Sequence, residues 1–323
     1  MLSFVEILKI ISMKRKRKFY NGVVNHVYQR TVGGVHLFYT KEDCLVFLSI
    51  LSVCTRSSNV RVLKLCIMHN HFHMLVIAES FDELSLFMDR FTSWFVRAYN
   101  IEHGRRGKLL HKSYGSAPKW EDKKLRSAII YIGNNPVEKM YCQYAEDYQW
   151  NFLAYAKSDF PFSSPIVLRR ASGNLKKALK LIDNLIELNK PLLYSTLAFM
   201  KTRLDDKEYQ QLTDYIVSCY SPFDFEELVS RFKSYDDMLL AMHSTTGSEY
   251  DIKEDRDDFS LASFKEMMSY MQNHHSDDFV AKMISLPLDD KFKLVSELQA
   301  HTSASNHQIC KFLHVPLIKP AKI

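Results

Sequence analysis

The sequence predicts an α+β protein: a ferredoxin-like antiparallel sheet with packed helices, followed by an all-α C-terminal region. Three observations carry that expectation. Segments of strand character alternate with helical patterns up to the Phe162-Ser163-Ser164-Pro165 linker. Beyond it, strand character all but ends and amphipathic helical patterns take over. The charge balance turns near the same point: residues 1–150 carry 22 Lys+Arg against 13 Asp+Glu, and the rest of the chain 21 against 24.

Residues 23–31 read as a first strand, and Gly33-Gly34 offers a hairpin turn before a second extended run, Val35 to Tyr39. Thr40 opens a helix with Glu42 and Asp43 in its first turn and Leu45, Leu48, Ile50 and Leu51 at helical spacing. Val60 to Met68 and His71 to Ala78 read as two strands around a short polar turn. Ser80-Phe81-Asp82-Glu83 is a capping-box signature, and Leu84, Phe87, Phe91, Phe95 and Ala98 form one apolar stripe behind it. Lys108 to Ala117 is a further strand expectation. Glu121 to Asn134 reads as a helix that Pro136 stops. Counting the first hairpin as one unit, the order is strand, helix, strand, strand, helix, strand, helix, which is the split βαβ arrangement with an added helix.

The chain divides accordingly into an apolar extension and basic arm (1–18), an α+β domain (19–157), a linker (158–172) and a helical region (173–323). Ser248 to Asp258 is an acidic connector within the helical region. Residues 302–315 read either as the opening of a helix-turn-helix, with Gln308-Ile309 and Phe312-Leu313 as packing positions, or as a terminal packing helix.

Chemistry concentrates in two segments, His69-Asn70-His71-Phe72-His73 and Tyr131-Ile132-Gly133-Asn134-Asn135-Pro136. On a strand, alternate residues share a face, so His71 and His73 point one way and Phe72 the other. Two imidazoles on one rigid strand make half of a divalent-metal site. The pair alone is a weak signal, because metallohydrolases and cupins share the spacing and many such pairs are structural. A metallo-β-lactamase reading needs an acidic residue two places after the second histidine, where Leu75 stands. On the helix, Tyr131 and Asn135 lie one turn apart and share a face. Leu125, Ala128, Ile129 and Ile132 form its buried stripe, with Tyr131 off that stripe. Most helical tyrosines merely pack, and a phenol, with an ordinary pKa near 10, is a poor nucleophile until its proton is removed or its target is made electrophilic. A histidine pair with a tyrosine and an amide is a kit for attacking a phosphodiester.

Met68-His69-Asn70-His71-Phe72-His73-Met74-Leu75 and Tyr131-Ile132-Gly133-Asn134-Asn135-Pro136-Val137 together resemble the motifs of the REP-associated tyrosine transposases, a group of single-tyrosine HUH transposases. Gly107-Lys108-Leu109-Leu110-His111-Lys112-Ser113-Tyr114 and Asp147-Tyr148-Gln149-Trp150 resemble two further motifs of that family, in the family's order. The resemblance covers residues 19–155. It departs at His69, where the family has proline; His69 is left open as an extra ligand, a supporting group or neither. The resemblance implies an HUH nuclease fold for 19–157 and a metal-dependent single-strand DNA endonuclease and strand-transferase (a transposase). It implies Tyr131 as nucleophile and His71, His73 and Asn135 as metal ligands. The donor set, mixed nitrogen and oxygen without thiolate, suits Mg²⁺ or Mn²⁺. The implied substrate is single-stranded or hairpin DNA, with a homodimer as an open possibility. The rival expectation is a domesticated protein that holds hairpin nucleic acid without cutting it.

Basic runs support a nucleic-acid partner. Lys14-Arg15-Lys16-Arg17-Lys18 precedes the first strand, and Arg105, Arg106 and Lys108 join the long helix to the next strand. Charge runs are most often solvated surface, but both lie in the cationic half of the chain, so phosphate contact is the expectation. Tyr20, Trp94, Tyr114 and Trp120 are aromatic enough to stack unpaired bases. The six cysteines are scattered, with no Cys-x-x-Cys pair, which predicts neither zinc framework nor disulfide scaffold and makes a cytoplasmic location the default. No apolar run approaches the ~20 residues a membrane span needs, so no membrane partner is expected. Met1 to Ser12 is apolar, but its charges follow rather than precede it, the wrong order for a signal peptide. It reads as a dispensable extension or an early start, with Met13 opening the functional chain.

Overall fold

Strand β3 (His71–Ile77) lies inside a four-stranded sheet, with β2 (Arg61–Met68) on one side and β1 (Val24–Arg30) on the other; β4 (Gly115–Pro118) pairs with β1. The spatial order is β2-β3-β1-β4, and every neighbouring pair is antiparallel. The structure is a computed structural model that describes residues 18–244 and 261–316. The apolar extension, Lys14 to Arg17 and the whole of the acidic connector fall outside those residues.

Helix α1 (Lys41–Arg56) follows β1, and α2 (Phe81–Glu102) follows β3. Thr40 and Asp43 form the expected reciprocal cap of α1: the Thr40 hydroxyl accepts from Asp43 N at 3.2 Å, and the Asp43 carboxylate accepts from Thr40 N at 2.9 Å. At α2 only half of the box forms. Ser80 Oγ accepts from Glu83 N at 3.1 Å, while the Glu83 carboxylate takes the amide of Glu79 instead. Both helices pack on one sheet face, where Phe47, Phe91 and Phe95 meet Val27, Phe72, Met74 and Val76.

Three expectations change. Val35 to Tyr39 is not a strand, because the Leu37 and Phe38 amides both donate to the single carbonyl of His69 rather than to a ladder. Of Lys108 to Ala117, only the part from Gly115 joins the sheet; Leu110 makes an isolated bridge to Thr31. Pro136 does not stop the tyrosine helix, α3 (Asp122–Glu138). Proline forfeits one N–H bond but can hold helical φ, and buried packing on both sides of α3 outweighs that loss.

The C-terminal part is helical. Helices α4 (Gly173–Glu187), α5 (Tyr194–Lys201) and α6 (Asp206–Tyr220) share the core of α1 through Leu179, Ile182, Leu197, Leu212 and Ile216. Tyr194 donates to the buried Asp43 carboxylate at 2.9 Å, and the Leu192 amide donates to Ser49 Oγ at 3.0 Å. Helices α7 (Phe225–Val229) and α8 (Tyr235–Ser244) cover α3 from outside the sheet, with Leu228, Met238 and Met242 in its core. Helices α9 (Leu261–His274), α10 (Asp277–Lys282), α11 (Leu288–His301) and α12 (Asn306–Leu313) form a third cluster. In α12, Ile309, Phe312 and Leu313 are buried, and Tyr39 donates to the Phe312 carbonyl. Among the described residues, no helix is long and apolar enough to cross a membrane.

Candidate active site

Register decides which side chains meet on the face opposite α1 and α2. Tyr28 stands opposite His73 and Arg30 opposite His71 across β1 and β3, while Cys66 and Met68 of β2 flank the same histidines from the other side. His26, two residues before Tyr28, shares their face. Helix α3 lies across this face and presents Tyr131 and Asn135 to it. The Tyr131 ring is edge-on to His73 at 5.9 Å between centroids and to His26 at 6.2 Å. Asn135 Nδ2 donates to His73 Nε2 at 3.2 Å. The four residues singled out as nucleophile and ligands are therefore gathered in one place. Tyr131 is not off the buried stripe as expected: α8 covers the outer side of α3, so residues 131–136 are all buried.

Each histidine of the pair is oriented through its Nδ1. His71 Nδ1 is hydrogen-bonded to Asn70 Oδ1 at 2.6 Å, and His73 Nδ1 to His26 Nε2 at 3.0 Å. His73 Nε2 meets the Asn135 amide. His71 Nε2 and Asn135 Oδ1 are both buried and have no hydrogen-bond partner among the described residues. Burial, reinforced by the charges of Arg30 and Lys139, pushes the His73 imidazole down to about 3. Burial, then His73, Arg30 and Lys139, holds His71 well below the ordinary histidine value. Both rings are thus neutral at physiological pH, the state in which an imidazole donates a lone pair. Among the described residues no cluster of three or more His, Cys, Asp and Glu side chains could hold a metal ion.

Supporting residues hold this arrangement. Gly115 lies opposite Tyr28, and a Cβ there would fall 2.2 Å from the tyrosine ring, so only glycine lets that ring lie across β4. Buried Lys64, which burial pushes down to about 8, donates to Asn151 Oδ1 at 3.0 Å. Asn151 in turn donates to the Gly133 carbonyl at 2.9 Å, bracing α3 between Tyr131 and Asn135. The neighbouring Asn134 turns away and donates to the Met242 carbonyl of α8 at 2.7 Å. His69 also turns away: its ring stacks with Tyr141 at 4.5 Å and meets Phe264 at a tilt at 4.3 Å. Sequence reasoning missed His26, Tyr28, Arg30 and Lys139. The alternation of His26 and Tyr28 within a predicted strand was a signal, but their register against β3 was not readable.

The basic residues lie apart from the histidines. Arg105 and Lys108 line a 690 Å³ cleft with Arg97 and Lys112, between α2 and the segment leading to β4. Gln29 also lines it, from the sheet face opposite His26. The cleft nevertheless opens at the end of β1 that carries Arg30, since the His111 amide donates to the Arg30 carbonyl. Arg106 and Lys18 are exposed. Tyr20 and Trp120 form an exposed pair at 5.1 Å with Lys124 over the indole, whereas Tyr114 is buried and Trp94 half-buried.

No family model matches the chain, and no curated protein matches it. A solved structure, that of a REP-associated tyrosine transposase bound to a REP hairpin, is similar with a TM-score of 0.39 at 16% identity, covering 45% of this chain and 87% of that one. At that level of likeness, activity is read from this chain's own residues.

Proposed function

We propose that residues 19–157 form a metal-dependent, single-tyrosine nuclease that cuts and rejoins single-stranded DNA, with a ferredoxin-like sheet of HUH type as its scaffold. The order β4-β1-β3-β2, with a helix after β1 and another after β3, supports that scaffold. One observation carries the activity. Two buried atoms of opposite origin, His71 Nε2 on β3 and Asn135 Oδ1 on α3, one helical turn from Tyr131, have no partner among the described residues. An unpartnered buried polar atom costs about 1–3 kcal/mol, and a bound cation would satisfy both at once.

His71, His73 and Asn135 would hold Mg²⁺ or Mn²⁺, which when bound supplies Lewis-acid polarisation of a phosphate oxygen. Asn70 and His26 engage the Nδ1 atoms, which leaves each Nε2 as the lone-pair atom; the Asn135 amide bonded to His73 Nε2 would give way on metal binding. Arg30 and Lys139 place positive charge where the phosphate would sit. Tyr131 Oη would attack phosphorus, forming the tyrosyl ester as the P–O3′ bond breaks. The products are a 5′-phosphotyrosine and a 3′-hydroxyl that takes up the proton the phenol has lost. The phosphodiester is conserved in the exchange, so a second 3′-hydroxyl can reverse it, which is strand transfer. Motif resemblance supplies the substrate class, single-stranded DNA beside a hairpin, and the cationic cleft at Arg105 and Lys108 offers a path for its backbone.

Tyr131→Phe tests the reading directly. With Mn²⁺ present, wild-type protein should form a covalent adduct with single-stranded DNA that survives denaturing electrophoresis, and the variant should form none while binding the strand with unchanged affinity. A wild-type protein that binds hairpin DNA without any adduct would favour the non-cleaving, domesticated alternative.

A further inference from the structure

A second cavity, of 390 Å³, opens where the β2–β3 turn meets α9. Tyr39, His69, Tyr141, Tyr148 and Phe264 wall it. Their rings are already ordered against one another. Phe264 lies flat on His36 at 4.0 Å, His69 packs on Phe264 at 4.3 Å, and Tyr141 stacks on His69 at 4.5 Å. The polar groups are few and placed at the edge: Lys265, Ser269 and Gln272 rim the cavity from exposed positions on α9. Inside, His69 Nδ1 is buried with no hydrogen-bond partner among the described residues.

We infer that this cavity receives one unpaired nucleobase of the DNA strand whose phosphate occupies the histidine site; the inference rests on the nuclease reading above and deepens it. Aromatic walls with a polar edge are what a base requires, since every base has a π-face and a rim of donors and acceptors. The volume lies within the range of small-molecule sites, about 300–1,000 Å³. Position links the two sites. His69 precedes His71, the first residue of β3, by two places, and Tyr141 lies two residues beyond Lys139, the C-cap of α3. A strand crossing that turn would meet the charges of Arg30, Lys139 and Lys265 along its backbone. The helical C-terminal part would thus contribute to base selection through α9.

Binding of the full-length protein to single-stranded oligodeoxyadenylate and oligothymidylate, compared with an abasic strand of equal length, tests this. Stacking is worth about 1–3 kcal/mol per base, so wild type should prefer base-bearing strands by about 5- to 150-fold at 1.4 kcal/mol per decade. Ser269→Trp adds an indole at an exposed helix position, where folding is spared, and fills the mouth of the cavity. It should cut that preference at least about fivefold, the lower end of one base's stacking, and leave affinity for the abasic strand unchanged. A preference that persists in Ser269→Trp, or is absent from wild type, overturns the pocket. Adduct formation with Mn²⁺ is scored separately. An adduct in a protein with no base preference defeats the pocket alone; a Ser269-dependent preference with no adduct defeats the nuclease reading and leaves base binding standing.

Discussion

Phe72 and Met74 point to one side of β3, and His71 and His73 to the other, and all four are almost entirely excluded from solvent. On the Phe72 side, phenylalanine rings from α1 and α2 meet at 4.8–5.9 Å, and the contacts satisfy themselves. On the histidine side, burial is as complete, yet His71 Nε2 and Asn135 Oδ1 have no hydrogen-bond partner among the described residues. Equal burial thus serves unequal ends. The apolar face gains from excluding water, whereas the histidine face carries an unrepaid cost of about 1–3 kcal/mol for each such atom. Under the proposed reading, a bound cation would repay it.

The sharpest way to break the comparison is to truncate neighbours on one strand. His73→Ala should remove the DNA adduct entirely, even in excess Mn²⁺, because one imidazole and one amide cannot retain a labile divalent ion; His71→Ala should do the same. Phe72→Ala should instead cost about 3–5 kcal/mol of stability, read as a lowered denaturant midpoint, while the folded fraction still forms adduct. If His73→Ala forms adduct at the wild-type rate, the two faces do not divide labour in this way.

Adjacent asparagines give the next largest effect. Asn135→Ala should raise the Mn²⁺ concentration needed for half-maximal adduct by about 10- to 100-fold, or roughly 1.4–2.8 kcal/mol. Asn134→Ala should leave that requirement alone and lower stability, since its amide donates to the Met242 carbonyl rather than to the site. A metal titration that shifts more for Asn134 reverses the assignment.

The smallest effect expected is an absence. Metal uptake needs neutral imidazoles, and a depressed pKa keeps them neutral further into acid. With His73 held at about 3, protons compete for its nitrogen only as pH falls toward that value, not near the ordinary histidine value of about 6.5. Calorimetric Mn²⁺ affinity should therefore change less than about twofold between pH 7 and 5. A tenfold loss per pH unit over that interval would mean that the rings titrate normally and are not held as described.

How much of this was legible beforehand follows from physics rather than from luck. Period-two alternation put His71 and His73 on one face, and i to i+4 spacing put Asn135 with Tyr131, because both are properties of local geometry. His26 was not found, because its approach to His73 depends on the β1–β3 register, which no local pattern encodes. The expected strand at Val35 to Tyr39 failed for a related reason: its amides found a carbonyl in the β2–β3 turn, far along the chain. Arg105 and Lys108 line a cleft between α2 and the segment leading to β4, with Gln29 of β1, a placement that a charge run, which reveals sign and not direction, does not encode. Pro136 was overweighted, because a propensity rule knows nothing of α8 pressing from outside.

The bond from Tyr194 to Asp43 spans 151 residues of chain. During synthesis, the outer face of α1 must therefore leave the ribosome long before the helices that will cover it. At about 5–20 residues per second, the wait lasts on the order of ten to thirty seconds. Through that interval the nascent sheet, already able to close around its histidines, exposes the surface that Leu197, Leu212 and Ile216 will later occupy. The expected outcome is a lower soluble yield when translation is slowed between α3 and α6, measured against the same chain translated at the ordinary rate.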